Sequence, residues 1–282
     1  LENIRFHPEE KQNDASFAQA LASLADLYVN DAFGTSHRAH ASIVGVTQYL
    51  PSAAGLLLEK EIETLSGITE SPAHPFATLL GGAKVSDKVG MIENVMGKVD
   101  YILIGGGMAA TFLKAKSYEV GLSLIETDKL GVAAELIEKA SKNNVCLLLP
   151  VDVVVADEIS QTAEGKIVAI EDIASDKRIV DIGPRTAMTF KETLQKCKTV
   201  FWNGPMGIYE IPQFAGGTKT LANILANLNA TTVLGGGSTA DIVADMGLAD
   251  KMTFVSTGGG ASLEFISGKA LPGIEALPDR GA

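Results

Sequence analysis

Glycine-rich turns follow apolar segments at five places in this 282-residue chain, and this repetition strongly constrains its fold. Glycine lets backbone N–H groups and a helix N-terminus approach a ligand closely, and the partial positive charge there suits phosphate. Because parallel strands end at one sheet edge, several such turns predict a nucleotide-handling α/β protein. The turns are Gly81-Gly82, Gly105-Gly106-Gly107, Asn203-Gly204-Pro205, Gly235-Gly236-Gly237 and Gly258-Gly259-Gly260.

Apolar strands alternate with helical patterns from residue 76 onward. This alternation predicts a Rossmann-like parallel sheet with helices on both faces. The predicted strands are 76–80, 101–104, 145–149, 199–202, 232–234 and 253–255, and the clearest helices are 16–27, 56–68, 131–142 and 218–228. The segment before residue 56 offers one helix and two short strands, too few to close a core, so it predicts a partial second α/β lobe.

Charge and composition exclude several classes of protein. A net charge of −11 argues against a nucleic-acid partner, which would need a concentrated Lys/Arg surface. No apolar run is long enough to span a bilayer, so no membrane partner is expected. Cys146 and Cys197 lack metal-binding spacing and predict neither a metal site nor a disulfide. We expect a reducing, cytoplasmic setting.

Two lysines follow the first glycine turn. If a helix begins near Val85 or Ser86, Lys84 lies at its start and Lys88 one turn later on the same face. Two ammonium groups beside a helix N-terminus are unfavourable without an anion between them, so the pair predicts a phosphate site. The alternative is an ordinary solvated pair of surface lysines.

Other glycine turns admit a second interpretation. The triplets at Gly105 and Gly235 satisfy a loose dinucleotide-binding pattern, and Glu126 lies at a suitable distance for a ribose contact. This keeps an NAD-dependent oxidoreductase as an alternative. Asn203 and Glu210 flank a turn and have the hydrogen-bonding capacity to hold a phosphate oxygen and a ribose hydroxyl, or simply to cap the turn.

The first segment offers cations for an anionic substrate. Arg5 follows a predicted strand, and Arg38 lies between His37 and His40. Guanidinium groups pair well with carboxylate and phosphate oxygens, so this segment is a candidate anion site. The histidines lack a third ligand at suitable spacing, so we interpret them as packing or orienting groups.

Five segments, in order along nearly the whole chain, resemble the phosphoglycerate kinase family. They are residues 1–7 (LENIRFH), 30–40 (NDAFGTSHRAH), the Lys84/Lys88 turn, Asn203-Gly204-Pro205 and 256–262 (STGGGAS). The resemblance implies reversible phosphoryl transfer from 1,3-bisphosphoglycerate to Mg-ADP, giving 3-phosphoglycerate and ATP in glycolysis. It also implies a monomer with two lobes that close about a hinge. Residues 1–55 would be a remnant of the phosphoglycerate lobe, 56–70 the hinge helix, and 71–282 the nucleotide lobe, with the last residues returning to the first lobe.

The resemblance assigns roles by matching position. Arg5 and Arg38 would bind phosphoglycerate, Lys84 would stabilise the transferring phosphoryl group, and Lys88 would bind the nucleotide phosphates. Asn203 would reach phosphate and Glu210 the ribose. The other implied nucleotide contacts are Gly82, Ala83, Gly106, Gly107, Gly204, Pro205, Gly236, Gly237, Ser238 and Thr239.

Two departures from the family pattern bear on activity. The family begins upstream of Leu1, so if this chain were the whole molecule we would expect nucleotide binding with little or no turnover. Ser238 stands where the family usually carries Asp. We therefore expect Mg²⁺ to be held chiefly by nucleotide oxygens and water, with no direct protein ligand, and Asp241 one turn later is the alternative. A nucleotide-binding module without turnover stays open as an alternative.

Overall fold

A computed structural model describes residues 2–279 of the chain. These residues form two units. The first unit contains the residues up to Gly67 and those from Thr257 onward, and the second unit is Ile68–Ser256. Within the described residues, no helix has the length and apolarity required to cross a bilayer.

The first unit begins with short elements: α1 (Pro8–Gln12), α2 (Ala15–Ala22), β1 (Tyr28–Asn30), β2 (Ser52–Ala54) and α3 (Leu56–Glu70), of which α3 continues into the second unit from Ile68 onward. Strands β1 and β2 pair in parallel. The strand predicted before Arg5 is wrong, because Arg5 lies in a 3-10 turn, Ile4–Phe6, capped by the side chain of Asn3.

The second unit alternates strands and helices along the chain. Its elements are β3 (Phe76–Leu80), α4 (Val89–Val95), β4 (Tyr101–Ile104), α5 (Met108–Ala115), α6 (Leu130–Lys142), β5 (Cys146–Leu148), β6 (Asp152–Ala156), β7 (Lys166–Ala169), β8 (Arg178–Ile182), α7 (Pro184–Leu194), β9 (Thr199–Asn203), α8 (Gly216–Leu225), β10 (Thr231–Gly235), α9 (Gly237–Asp245) and β11 (Phe254–Val255). Two helices of the first unit follow, α10 (Gly260–Ile266) and α11 (Pro272–Glu275).

Six strands of the second unit form one parallel sheet in the order β11-β10-β9-β3-β4-β5. Every residue of β3 and β9 is buried, as expected for central strands covered on both faces. Leu79 and Trp202 share a core with Phe190 of α7 and Leu221 of α8. The predicted Rossmann-like parallel sheet is confirmed, and each predicted strand differs from the observed one by at most one residue at either end.

A second sheet was not predicted. Strands β7, β6 and β8 pair antiparallel, with β6 in the centre and a bulge between Val154 and Val155. Val153 and Val155 of β6 pack against Ala110 and Leu113 of α5. The alternation of β and α along the chain carries no signal for this sheet, because its strands are short and no α-helix lies between them in the chain.

Two buried aspartates link this sheet to helices of the second unit. Asp152 accepts hydrogen bonds from the backbone N–H groups of Arg185 and Thr186, at 3.0 and 2.7 Å, in the first turn of α7. Asp181 accepts one from the N–H of Gly217, at 2.7 Å, in the first turn of α8. Unpaired N–H groups at a helix N-terminus favour a carboxylate, so both side chains act as caps. Burial nevertheless raises the pKa of Asp181 to about 7, against the opposing effect of its N–H donors.

We expect Asp181 to make the second unit less stable as pH rises. Between about pH 4, where an unfolded carboxyl ionises, and about pH 7, the folded state holds a proton that the unfolded state has lost. Stability therefore falls across this window, by an amount on the order of 2–4 kcal/mol. Denaturation at pH 5 and pH 8, followed by fluorescence of Trp202, the single tryptophan of the chain, measures it.

The Asp181→Asn variant should lose this pH dependence, since an amide does not titrate. Exposed Asp250 provides the matched control, and Asp250→Asn should keep the dependence of the parent chain. A difference between pH 5 and pH 8 that is the same in Asp181→Asn and in the parent would contradict the assignment.

Candidate nucleotide and phosphate site

Three glycine turns meet where the strand order of the parallel sheet reverses, between β3 and β9. The N–H of Gly82 donates to the carbonyl of Pro205 at 2.9 Å, and the N–H of Gly106 donates to that of Met206 at 3.0 Å. The N–H of Met108 donates to the carbonyl of Gly82 at 3.0 Å. In open α/β sheets the crevice at this reversal is the usual ligand site.

Two of these turns require glycine. Gly106 has φ of 64° and Gly204 has φ of 92°, in the left-handed region that other residues rarely adopt. A Cβ at Gly106 would overlap the backbone of Gly82, and one at Gly204 would overlap that of Gly81. The three turns therefore form a backbone platform in which Gly106 and Gly204 lie directly against the backbone of Gly82 and Gly81.

A cavity of about 870 Å³ lies on this platform. The predicted nucleotide contacts that line it are Gly82, Ala83, Gly106, Gly107, Pro205, Glu210 and Ser238. Much of its remaining wall is apolar and was not predicted: Leu122, Leu124 and Ile125 precede α6, Ile159 follows β6, Ile179 and Val180 lie on β8, and Ile208 follows β9. Leu122 and Leu124 are 54% and 73% exposed. An open apolar wall beside a polar floor suits a planar base.

Lys88 and Asn203 form a buried polar pair next to this platform. The Lys88 Nζ donates to the Asn203 Oδ1, and the two residues are 7% and 1% exposed. Helix α4 begins at Val89, later than predicted, because residues 85–88 form a turn in which the N–H of Lys88 donates to the Val85 carbonyl at 2.8 Å. Lys88 is therefore in the position immediately before the helix, and Lys84 is exposed on the preceding loop.

The Lys88 ammonium and the Asn203 Nδ2 are both suited to bind an anion. Burial lowers the pKa of Lys88 to about 8, although the charge of Asp87 raises it. The Nδ2 of Asn203 is buried, and among residues 2–279 it has no hydrogen-bond partner. A buried donor without a partner is costly, and a phosphate oxygen would satisfy it and favour the charged form of the lysine.

The turn at Gly236 starts α9 beside Asn203. Gly236 has φ of 96°, and a Cβ there would lie 3.1 Å from the Asn203 Nδ2. Thr239 is buried, and its Oγ1 accepts a hydrogen bond from the N–H of Gly204 at 2.8 Å. Gly237 and Ser238 are exposed in the first turn. The first turn of α9 is thus bonded to the turn that holds Asn203.

Glu126, the candidate ribose contact of a dinucleotide fold, has other partners. Its Oε2 accepts from the Ser86 N–H at 3.0 Å, and its Oε1 accepts from the Ser86 hydroxyl at 2.5 Å. Glu210 is exposed and lines the cavity. Of the two acidic residues considered for a ribose, only Glu210 lines this cavity within the described residues.

Arg5 and Arg38 both belong to the first unit and both act on the charge of His40. Burial is the largest cause of the lowered pKa of His40; Glu10 raises that pKa, and the charges of Arg5, Arg38 and Lys11 lower it. The Arg38 Nε donates to the His37 Nε2 at 3.3 Å. The charges of both predicted arginines therefore act on one histidine of the first unit, which is compatible with an anion site there.

Glu10, which was not predicted as a site residue, holds the segment that follows His37, Arg38 and His40. Glu10 is 2% exposed, and its carboxylate accepts from the Ser42 N–H at 3.0 Å and the Ser42 hydroxyl at 2.6 Å. The fifth glycine turn also belongs to this unit, where Gly258 packs against the ring of Phe33.

Metal ligands are not gathered in either unit. Within residues 2–279 there is no group of three or more His, Cys, Asp or Glu residues placed to hold a metal ion.

Comparison with known proteins identifies relatives over the whole chain. Residues 1–269 match the family described as phosphoglycerate kinase. The chain is 56% identical to phosphoglycerate kinase of Dictyoglomus turgidum over 281 residues, covering 99% of this chain and 71% of that protein. It is also 56% identical to the enzyme of Synechococcus sp. (strain JA-3-3Ab) over 283 residues, covering 99% of this chain and 69% of that protein.

Solved structures agree with these relatives. The structure of phosphoglycerate kinase from Coxiella burnetii matches with a TM-score of 0.89 and 44% identity, over 97% of this chain and 71% of that one. The enzyme from Pyrococcus horikoshii OT3 matches with a TM-score of 0.86 and 34% identity, over 98% of this chain and 71% of that one. The fold and these matches agree, and the chain belongs to the phosphoglycerate kinase family, whose members are phosphotransferases of glycolysis.

Proposed function

We propose that the second unit binds the nucleotide of a phosphoglycerate kinase reaction, with ADP or ATP in the cavity on the glycine platform. The observation that carries this proposal is the buried Lys88 ammonium beside the unpartnered Nδ2 of Asn203. The base would lie on the apolar wall and Glu210 would accept hydrogen bonds from the ribose hydroxyls. The phosphates would lie at Lys88, Asn203 and the first turn of α9.

Each predicted residue has a role consistent with its position. The platform glycines, Gly82, Gly106 and Gly107, together with Ala83, would bring backbone close to the phosphates. Gly204 and Pro205 would fix the turn that carries Asn203. At the start of α9, Gly236, Gly237 and Ser238 would approach the phosphates, and Thr239 would hold that turn to Gly204.

Lys84 would stabilise the charge of the transferring phosphoryl group. It is exposed and follows Gly82, which has φ of 94°. Phosphoryl transfer requires mainly positioning and charge neutralisation, with no covalent intermediate on the protein. We propose that Mg²⁺ enters as part of the nucleotide substrate, because Ser238 supplies only a hydroxyl where the family usually has a carboxylate.

Arg5 and Arg38 would bind the phosphoglycerate in the first unit, because paired guanidinium groups are the preferred partners of phosphate and carboxylate.

We propose residues 1–55 as the phosphoglycerate-binding segment, 56–70 as the hinge helix and residues from 71 as the nucleotide lobe. The grouping of residues after Thr257 with the first unit supports a return of the last residues to it. A monomer in the cytoplasm is the state that the family resemblance implies, and two free cysteines are consistent with a reducing compartment.

Removing the Lys88 ammonium should weaken nucleotide binding. Lys88→Ala loses a charged hydrogen bond to phosphate, so the dissociation constant of Mg-ADP should rise roughly ten- to hundredfold. Asn203→Ala should weaken binding in the same direction. Calorimetric titration of the full chain with Mg-ADP measures both. The control is Lys142→Ala, an exposed lysine paired with Glu138 at 2.5 Å, which should bind as the parent does. An unchanged affinity in Lys88→Ala would refute the phosphate site.

ADP binding should take up protons near pH 8. The pKa of Lys88 is about 8 in the free protein, so the ammonium is partly neutral there. Bound phosphate favours the charged form and raises that pKa, so binding takes up roughly half a proton at pH 8 and weakens as pH rises further. Titrations in buffers of different ionisation enthalpy detect the uptake, and Lys88→Arg should abolish it. Proton release, or uptake that persists in Lys88→Arg, would count against the assignment.

Binding of 3-phosphoglycerate should raise the pKa of His40. Arg5 and Arg38 now lower it, and an anion paired with their guanidinium groups would partly cancel their charge. Arg38→Ala should raise the pKa of His40 even without ligand. Nuclear magnetic resonance titration of the His40 ring follows both effects. Lys269→Ala, an exposed lysine paired with Glu264 at 3.6 Å, should leave the titration unchanged. No response of His40 to either change would exclude this site.

A further inference from the structure

The loop that carries Lys84 and Lys88 has little regular structure of its own. It follows Gly82, whose added Cβ would meet open space, and α4 begins only at Val89. The backbone bonds of this loop include those from the N–H groups of Lys88 and Val89 to the carbonyl of Val85, at 2.8 and 3.1 Å. A loop with so few ladder bonds needs side chains to fix its conformation.

The carboxylate of Glu126 supplies that anchor. It accepts hydrogen bonds from both the N–H and the hydroxyl of Ser86, at 3.0 and 2.5 Å. The backbone N–H of Val85 also acts on this carboxylate and lowers its pKa. Burial raises the pKa of Glu126, but these three donors together lower it, so the carboxylate stays ionised at neutral pH. One side chain therefore holds two consecutive residues of the lysine loop.

Glu126 is itself fixed to the scaffold. Its N–H donates to the Thr111 Oγ1 at 3.2 Å, and Thr111 is 1% exposed on α5. Helix α5 begins at Met108, directly after the glycine turn that forms part of the platform. The chain of contacts runs from α5 through Glu126 to the residues between Lys84 and Lys88.

We propose that Glu126 is a positioning residue that sets the place of the Lys84 and Lys88 ammonium groups relative to the bound phosphates. Ser86 lies midway between the two lysines in the chain, so the bonds it makes to Glu126 orient the loop on both sides. The inference rests on the proposed function, because it takes these two lysines as the phosphate ligands. Glu126 touches no phosphate itself and acts through the backbone of Val85 and Ser86.

A comparison of ligands separates this role from a general structural one. Glu126→Ala frees the loop, so affinity for Mg-ADP should fall roughly ten- to hundredfold, the scale of loss that misplacing a reacting group by about an ångström produces. Affinity for adenosine, which has no phosphate, should stay within about twofold of the parent. Glu126→Gln keeps one acceptor oxygen and should show a smaller loss, as should Ser86→Ala. Exposed Glu135 on α6 is the control, and Glu135→Ala should bind as the parent does.

A double-mutant cycle tests whether Glu126 acts through the lysines. In the Lys88→Ala background, Glu126→Ala should weaken Mg-ADP binding by far less than it does in the parent, because Lys88 is the lysine assigned to the phosphates of ADP. Lys84 is assigned to the transferring phosphoryl group, which ADP lacks. All titrations use the full chain, with Trp202 fluorescence to verify folding. If Glu126→Ala fails to fold, the same cycle with Glu126→Gln or Ser86→Ala decides the question.

Three results would overturn the inference. Equal losses in the parent and Lys88→Ala backgrounds would show that Glu126 acts independently of Lys88. An equal loss for adenosine and Mg-ADP would show damage to the cavity wall, since neighbouring Ile125 lines it. Unchanged Mg-ADP binding in all three variants would show that Glu126 does not position the lysines. By contrast, a Lys88→Ala variant that binds Mg-ADP as the parent does would refute the proposed function itself.

Discussion

Direct backbone contact between three turns is the constraint on which the second unit depends. The turns after β3, β4 and β9 exchange N–H to carbonyl hydrogen bonds across the point where strand order reverses. That contact is possible only because Gly106 and Gly204 carry no Cβ and adopt positive φ. Once the turns are joined, the strands behind them are held in register and the helices after them begin at one edge. The cavity, the buried lysine and the start of α9 are all positioned by this arrangement.

Anion recognition in this acidic chain is achieved by local placement. The net charge is −11, so long-range attraction does not favour a phosphate ligand. Burial of Lys88 instead removes water from its ammonium group. Asn203 is buried as well, and its Nδ2 has no hydrogen-bond partner among the described residues. In the proposed nucleotide site, a phosphate oxygen would relieve both costs, which is the physical basis for assigning phosphate to it. Buried Asp152 and Asp181 are acidic counterparts of this arrangement, because each carboxyl group accepts hydrogen bonds from free N–H groups at a helix N-terminus.

Several features of the site had no readable signal in the sequence. The apolar wall includes residues of β8, and the antiparallel sheet that contains β8 was not predicted. Leu122 and Leu124 lie in a segment without periodicity, so nothing local marks them as cavity residues. The distance of Glu126 from the Gly105 triplet predicts a ribose contact, yet its partner is Ser86, 40 residues earlier in the chain. The late start of α4 likewise reflects a turn at residues 85–88, in which the Lys88 N–H donates to the Val85 carbonyl and Ser86 is bonded to Glu126.

The sequence by itself determined the strands of the parallel sheet, their glycine turns and the cations near them. These are local properties, because buried parallel strands must be continuously apolar and close backbone turns must contain glycine. Motif order along the chain was also sufficient to indicate the family. The pairing of distant groups appears only in the tertiary structure. Lys88 is buried against Asn203, the charges of Arg5 and Arg38 both act on His40, and Glu126 is bonded to Ser86 in the lysine loop. Such pairings join residues far apart in the chain, so they depend on how the elements pack and leave no periodic pattern in the sequence.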